Sequence, residues 1–147
     1  YLRRFFREYR ELSSKQIEDW YYGMLQNPKF EMFIISDAAG DSHGVAGLTY
    51  IDFVNRHADV HFYIGKDEQW IDTYVAPRIF PALIDYAFKV MNLNKLWAEI
   101  YEIDSLKSSF FLKFGFTCDA VLREHYFFEG AYVSSCIYSL LRNEYKL

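Results

Sequence analysis

The sequence predicts an α+β fold with a mixed, mostly antiparallel central sheet flanked by helices. Residues 30–36, 45–53 and 57–65 form three apolar or alternating segments with short turns between them, as in an antiparallel meander. Residues 79–91 carry apolar side chains at intervals of three and four, which is typical of a helix packed on a sheet. Residues 95–101 return as a strand, so this helix should connect two parallel strands by a right-handed crossover.

The N-terminal third is predicted to be helical. Residues 1–10 show helical periodicity. Ser13 or Ser14 can cap the next helix, and Gln16 follows Ser13 at the spacing of a capping box. Asn27 and Pro28 end that helix. In the strand over 45–53, Gly47 is expected to form a bulge.

The C-terminal third is predicted to hold a short helix and a hairpin. The helix covers residues 105–114, with Asp104 or Ser105 as its N-cap and Gly115 at its C-terminal end. Strands over 118–128 and 132–141 follow, joined by a tight turn at 129–130.

Composition bounds the class of protein. The chain has 147 residues, 52% of them hydrophobic, so residues 1–147 are expected to form one domain with a sizeable core. The net charge of −4 and the lack of a long basic run argue against a nucleic-acid partner, and the arginines at positions 3, 4, 7 and 10 are interpreted as a solvated helix face rather than a phosphate-binding patch. The two cysteines lack metal-ligand spacing, which predicts no metal and a reduced, cytoplasmic protein. No apolar run is long enough to span a membrane.

Five segments in order resemble one enzyme superfamily. They read HADVHFYIG, LIDYAF, KLWAEIYE, FLKFGF and LREHYFFEGAYVSSCIYSLLRNEY. Together they resemble the GNAT superfamily of acyl-CoA-dependent N-acetyltransferases, within it the subgroup of ribosomal-protein N-terminal and amino-sugar N-acetyltransferases. The resemblance implies the GNAT fold, whose usual first strand is not in this sequence, and acetyl-CoA as co-substrate.

The resemblance also implies where the cofactor binds. The family cradles the CoA pyrophosphate with main-chain N–H groups of a glycine-rich loop. In this chain the glycine positions hold Ile71, Thr73 and Val75, and two prolines follow at 77 and 81, so the helix is expected to start late or to kink. The loop contacts implied by the resemblance are those of Tyr74, Val75, Ala76 and Arg78.

Further cofactor contacts are implied on the central strand and the last helix. A main-chain N–H near Tyr63 or Ile64 would polarise the thioester carbonyl, where the strand splays from its parallel neighbour and the acyl-CoA arm pairs with it. Asp104 stands where the family often has the asparagine that holds the pantetheine arm. Phe111 stands where the family often has the tyrosine that reprotonates the thiolate, so Ser108, Ser109 or water would have to replace it.

Acetyl transfer requires a neutral amine, and therefore a base near it. Asp59 is the first candidate because it lies on the polar face of the central strand and matches an acidic position of the subgroup. His57 and His61 flank Asp59 on the same face of the strand. The alternative to a catalytic role is that this whole face is purely structural. Glu99 is the second candidate, and the alternative is that it faces solvent. For His125 and Tyr126, an edge-strand role is favoured.

The acceptor is expected to be a primary amine of a small molecule, such as a nucleotide-linked amino sugar, or a protein N-terminus. The aromatic residues of the first two helices are interpreted as core, with an acceptor pocket as the alternative; they are Phe5, Phe6, Tyr9, Trp20, Tyr21 and Tyr22. Two other functions stay open: a GNAT-fold protein that binds a ligand or partner without catalysis, and a scaffold subunit of an oligomer. Relatives often pair, which allows a homodimer.

Overall fold

The computed structural model describes residues 12–64 and 75–146, and it confirms the predicted fold class. Within that part, the helices are α1 (Ser14–Leu25), α2 (Ala76–Asp85) and α3 (Ser105–Lys113), and α2 continues as a π-helical turn over Tyr86–Val90. The strands are β1 (Glu31–Ser36), β2 (Ser42–Asp52), β3 (His57–Ile64), β4 (Lys95–Tyr101), β5 (Thr117–Phe128) and β6 (Ala131–Leu141). The helix predicted over 1–10 lies outside the described residues, and so do the loop positions 65–74, which include Tyr74.

The six strands form one mixed sheet in the order β1-β2-β3-β4-β6-β5. Every neighbouring pair is antiparallel except β3 and β4, which pair in parallel. That parallel pairing covers only three positions, from His57 with Lys95 to Asp59 with Trp97. After Asp59 and Trp97 the pairing between β3 and β4 ends. The remaining halves of the two strands are unpaired with each other, so an opening lies between them in the middle of the sheet.

The core lies between the sheet and the helices α2 and α3. On β3, buried and more exposed residues alternate as the sequence pattern predicts, with Ala58, Val60, Phe62 and Ile64 facing the core. Phe80 of α2 is fully buried, and its ring lies within about 5–6 Å of the rings of five other phenylalanines. These contacts tie α2 and α3 to the strand that borders the opening.

The helix α2 does not start late, so that half of the prediction is wrong, while a kink stays a prediction. It begins at Ala76 with Pro77 in its first turn, and the N–H groups of Arg78 and Ile79 donate to the carbonyl of Val75 at 3.1 and 3.3 Å. Pro81 lies inside the helix, at a cost of about 3 kcal/mol. Burial of Phe80, Leu83 and Ile84, each about 1.5–3 kcal/mol, outweighs that cost.

The predicted turn chemistry is largely confirmed. Ser13 and Gln16 form the capping box of α1, and the Asp104 side chain caps α3 by accepting from the N–H of Lys107 at 3.1 Å. Gly115 has a φ of +87°, and the β5–β6 hairpin turns through two residues with positive φ.

Gly47 does not form a bulge. It is regularly paired with Met32 and His61, and the register shift of β2 lies between Thr49 and Asp52 instead. A Cβ atom on Gly47 would overlap the carbonyl oxygen of Glu31. The glycine therefore lets β1 approach β2 closely.

Candidate active site

A cavity of about 710 Å³ lies at the opening between β3 and β4. Residues from β3, β4, α1 and the first turn of α3 line it. Five of the predicted site residues are among them: Asp59, His61, Tyr63, Glu99 and Asp104. The sequence-based candidates from two separate strands therefore do share one site.

Asp59 occupies the last paired position before the opening. One of its carboxylate oxygens accepts a hydrogen bond from the Thr49 hydroxyl of β2 at 3.0 Å. Thr49 is itself buried and lines the cavity. This contact fixes the direction of the carboxylate at the inner end of the cavity.

His61 lies two residues further along β3, where the parallel pairing has ended. It is exposed, but its surface lies in the cavity, where neighbouring protein atoms displace part of its hydration. This desolvation, followed by the positive charge of Lys107, lowers the pKa of His61 below its usual range. Its imidazole is therefore neutral at neutral pH and can accept a proton.

Glu99 lies on β4 at the position that would face His61 if the pairing continued. Its side chain is only 10% exposed. One carboxylate oxygen accepts from the Ser135 hydroxyl at 2.5 Å, and Nε2 of His125 lies 3.7 Å from the same atom. The alternative that Glu99 merely faces solvent is therefore wrong.

His57 does not line the cavity, although it shares a strand face with Asp59 and His61. Its Nε2 atom lies 3.8 Å from a carboxylate oxygen of Asp52. His125 belongs to β5, the edge strand of the sheet, as predicted. Both histidines lie outside the group of lining residues.

The main-chain N–H groups near Tyr63 and Ile64 flank the opening from the β3 side. Adjacent residues of a strand direct their N–H groups to opposite sides, so one of the two faces β2 and the other faces the opening. Tyr63 also lines the cavity, whereas the Ile64 side chain is buried in the core. The geometry is thus suited to a main-chain contact from one of these residues.

The remaining described cofactor candidates are not among the residues that line the cavity. At the start of α2, Ala76 is fully buried, Val75 is half-buried and Arg78 is exposed. The Ser108 hydroxyl donates to the carbonyl of Ser105 at 3.1 Å. Their predicted contacts with the cofactor stay predictions.

Phe111 is 1% exposed and packs against Phe80 and Phe116 at ring distances of 5.2 and 4.9 Å. It does not line the cavity, so the structure places it in the core rather than at the site. The aromatic cluster formed by α2 and α3 holds the ring there.

The structure also brings in residues that sequence reasoning did not name for the site: Tyr50, Tyr101 and Lys107 line the cavity. Trp20 lines it as well, in agreement with the acceptor-pocket alternative. The core reading is wrong for Trp20 and for the next two tyrosines, because α1 buries no residue and Trp20 is 61% exposed. Helical spacing alone does not distinguish a core stripe from a cavity wall.

Comparisons with known proteins agree with this arrangement. A profile for the acetyltransferase (GNAT) domain matches residues 1–137. Spermidine N(1)-acetyltransferase from Escherichia coli K12 is 24% identical over 130 residues, which cover 88% of this chain and 68% of the relative. The corresponding enzyme from Vibrio cholerae is 22% identical over 133 residues, covering 90% and 76%.

Solved structures show the same fold. The spermidine N-acetyltransferase from Vibrio cholerae in complex with CoA and spermine superposes with a TM-score of 0.89 at 21% identity. The superposition covers 98% of this chain and 84% of that one. In residues 12–64 and 75–146, no helix is long and apolar enough to cross a membrane. The cytoplasmic location and the homodimer stay predictions.

A profile match over most of the chain, the sheet that opens between β3 and β4, and the shared fold lead to one assignment. The narrower subgroup of ribosomal-protein and amino-sugar acetyltransferases stays a prediction. The chain belongs to the GNAT family, as an N-acetyltransferase that uses acetyl-CoA as its co-substrate.

Proposed function

We propose that this protein acetylates a primary amino group of a polyamine, a small molecule that carries several positive charges. The observation that carries the proposal is the cluster of three carboxylates in the cavity, those of Asp59, Glu99 and Asp104. Carboxylates attract an ammonium group, whereas they repel the phosphates of a nucleotide-linked sugar. The similarity to spermidine N-acetyltransferases supports the same class of acceptor.

The cavity also offers aromatic faces to a cation. Trp20 and Tyr50 are both about 60% exposed and lie in the cavity lining. An ammonium group over such a ring gains about 0.5–1 kcal/mol at an exposed site. A second ammonium of a polyamine can bind there while the reacting amine lies deeper, between β3 and β4.

The acyl arm of acetyl-CoA enters the opening as an additional strand beside β3. A main-chain N–H of Tyr63 or Ile64 then donates to the thioester oxygen, where negative charge develops in the transition state. Val75, Ala76 and Arg78 at the start of α2 bind the pyrophosphate, with Tyr74 before them outside the described residues. Asp104 holds the pantetheine arm from the cavity lining, Ser108 follows one turn later in α3 outside the lining, and Phe111 supports this helix from the core.

His61 takes the proton from the amine. Its lowered pKa keeps the imidazole neutral at neutral pH, which a general base requires. Asp59 and Glu99 hold the ammonium form of the acceptor beside it, and the hydrogen bonds from Thr49 and Ser135 orient both carboxylates. The neutral amine then attacks the carbonyl carbon directly.

The acceptor class is tested by measuring thiol release from acetyl-CoA with spermidine, spermine, a nucleotide-linked amino sugar and a short peptide as acceptors. We expect the two polyamines to give the highest kcat/KM. We also expect KM for spermidine to rise with salt, because screening weakens the attraction between charges. Preference for the amino sugar would contradict the acceptor class, and binding of acetyl-CoA without thiol release would favour the non-catalytic alternative.

A variant of Glu99 tests the role of the cavity charge. Glu99→Gln should raise KM for spermidine about tenfold, since removing one charge–charge contact costs on the order of 1–2 kcal/mol. KM for acetyl-CoA should not change. Glu124→Gln on the exposed face of β5 removes the same charge outside the cavity and serves as the control.

A further inference from the structure

Acetyl transfer leaves behind a thiolate, and the cavity must supply its proton. When the amine attacks, the C–N bond forms and the carbonyl becomes an oxyanion. When that intermediate collapses, the C–S bond breaks and its electron pair goes to sulfur. Base catalysis at His61 removes a proton from nitrogen, so a separate group must deliver one to sulfur.

Two of the side chains considered for this step do not serve it. Phe111 is buried in the aromatic cluster and has no proton to give. The Ser108 hydroxyl already donates to the carbonyl of Ser105, and Ser108 does not line the cavity. Ser109, the other serine considered, does not line the cavity either, so the side chains that can replace water as the donor are those of the lining.

We infer, on the basis of the proposed function, that Lys107 is the catalytic residue that neutralises and protonates the departing CoA thiolate. Among the described residues that line the cavity, Lys107 is the only lysine or arginine. An ammonium group both compensates the negative charge on sulfur and carries a transferable proton.

The position of Lys107 suits this step. It lies in the first turn of α3, and its N–H is fixed by the Asp104 carboxylate at 3.1 Å. Lys107 and His61 both line this cavity, and the charge of the lysine lowers the pKa of the imidazole. A thioester bound in this cavity therefore has both a proton acceptor and a proton donor among the residues that line its site.

The protons balance over one turnover. The nitrogen loses two protons: His61 takes the ammonium proton before attack and releases it to water, and it then takes the N–H proton of the tetrahedral intermediate. Lys107 gives one proton to sulfur. Products are the acetylated amine and CoA with a free thiol. Afterwards the imidazolium loses its proton to water and the neutral lysine regains one from water, so no further reactant is needed.

The experiment compares Lys107→Met with Lys113→Met, which removes the same charge at the exposed C-terminal end of α3. Both proteins are assayed with spermidine, once with acetyl-CoA and once with acetyl-pantetheine, which lacks the pyrophosphate and the nucleotide. We expect kcat of Lys107→Met to fall on the order of 10²-fold with either thioester, as for loss of a general acid. Lys113→Met should match the wild type.

Two outcomes would overturn the inference. An unchanged kcat would leave the tyrosines of the cavity as donors. A loss seen only with acetyl-CoA, and as a raised KM, would make Lys107 a phosphate-binding residue. A wild-type protein that releases no thiol with any acceptor would instead refute the proposed function, so the two failures are distinct.

A second measurement does not depend on turnover. Titration of the His61 ring by NMR in the protein without ligands should show a higher pKa in Lys107→Met than in the wild type, because a like charge has been removed. Lys113→Met should leave the titration unchanged. An unshifted His61 in Lys107→Met would show that the two side chains do not face each other and would overturn the inference.

Discussion

Replacing Phe111 with tyrosine adds one hydroxyl group at a position where the ring is only 1% exposed. The family resemblance would suggest that this change restores a missing catalytic acid. The structure predicts loss of stability without a gain in activity, because the ring is enclosed by Phe80, Phe110 and Phe116 at centroid distances of 5.2, 5.9 and 4.9 Å.

The size of the loss follows from the burial. A hydroxyl without a hydrogen-bond partner in an apolar environment costs about 1–3 kcal/mol. In a chain of about 150 residues, each kcal/mol lowers the melting temperature by about 2–4 °C. A cost of 2 kcal/mol therefore predicts a melting temperature lower by about 4–8 °C.

The assay is thermal unfolding of Phe111→Tyr beside Phe53→Tyr, followed by steady-state kinetics with acetyl-CoA and spermidine. Phe53 is 55% exposed, so its added hydroxyl is hydrated and should not change the melting temperature. Unchanged stability of Phe111→Tyr together with a higher kcat would refute the reasoning, since it would mean that the hydroxyl reaches the thiolate.

Three other perturbations test the site and its support. In the wild type, the rate should fall as pH drops through the lowered pKa of His61, so the midpoint of this acidic limb lies below about 6.5. His61→Gln should remove the acidic limb from the pH–rate profile. Asp104→Ala should lower the free energy of unfolding, measured by urea titration, by about 1 kcal/mol because the α3 cap is lost. It should also lower kcat, because Lys107 is displaced. Asp104→Asn should retain the cap and serves as the control. Gly47→Ala should destabilise the protein by about 1–3 kcal/mol because the added methyl overlaps the β1 backbone, whereas Gly23→Ala in α1 meets no atom within 4 Å and should not destabilise it.

The fold was predictable because its elements are locally consistent. The alternation on β3 predicted a half-buried strand, and Ser13 and Asp104 predicted two helix N-caps, all of which the structure contains. Where local rules conflicted, packing decided the outcome. Pro81 argued for a late or kinked helix, but the buried side chains of α2 allow it to begin at Ala76, and it changes to a π-helical turn at Tyr86.

The candidate site was only partly predictable, because it depends on an interruption of tertiary pairing. Asp59 and Glu99 were named from strand faces, and the structure brings both to one cavity. The end of the parallel pairing after Trp97 leaves no local signal, since the residues before and after it alternate in the same way. Lys107 was missed because a lysine on a short helix ordinarily faces solvent, and only the tertiary structure brings it to the cavity.

With Lys107 as the proposed proton donor, the burial of Phe111 fits a site that functions without the family's usual tyrosine. The phenylalanine contributes its full ring to the cluster around Phe80, which holds α3 against α2. The first turn of that helix is therefore fixed relative to β3, and Lys107 lines the same cavity as His61. A lysine can deliver a proton only if it is held near the sulfur, so the packing that excludes a tyrosine hydroxyl from the core is also what positions the proposed donor.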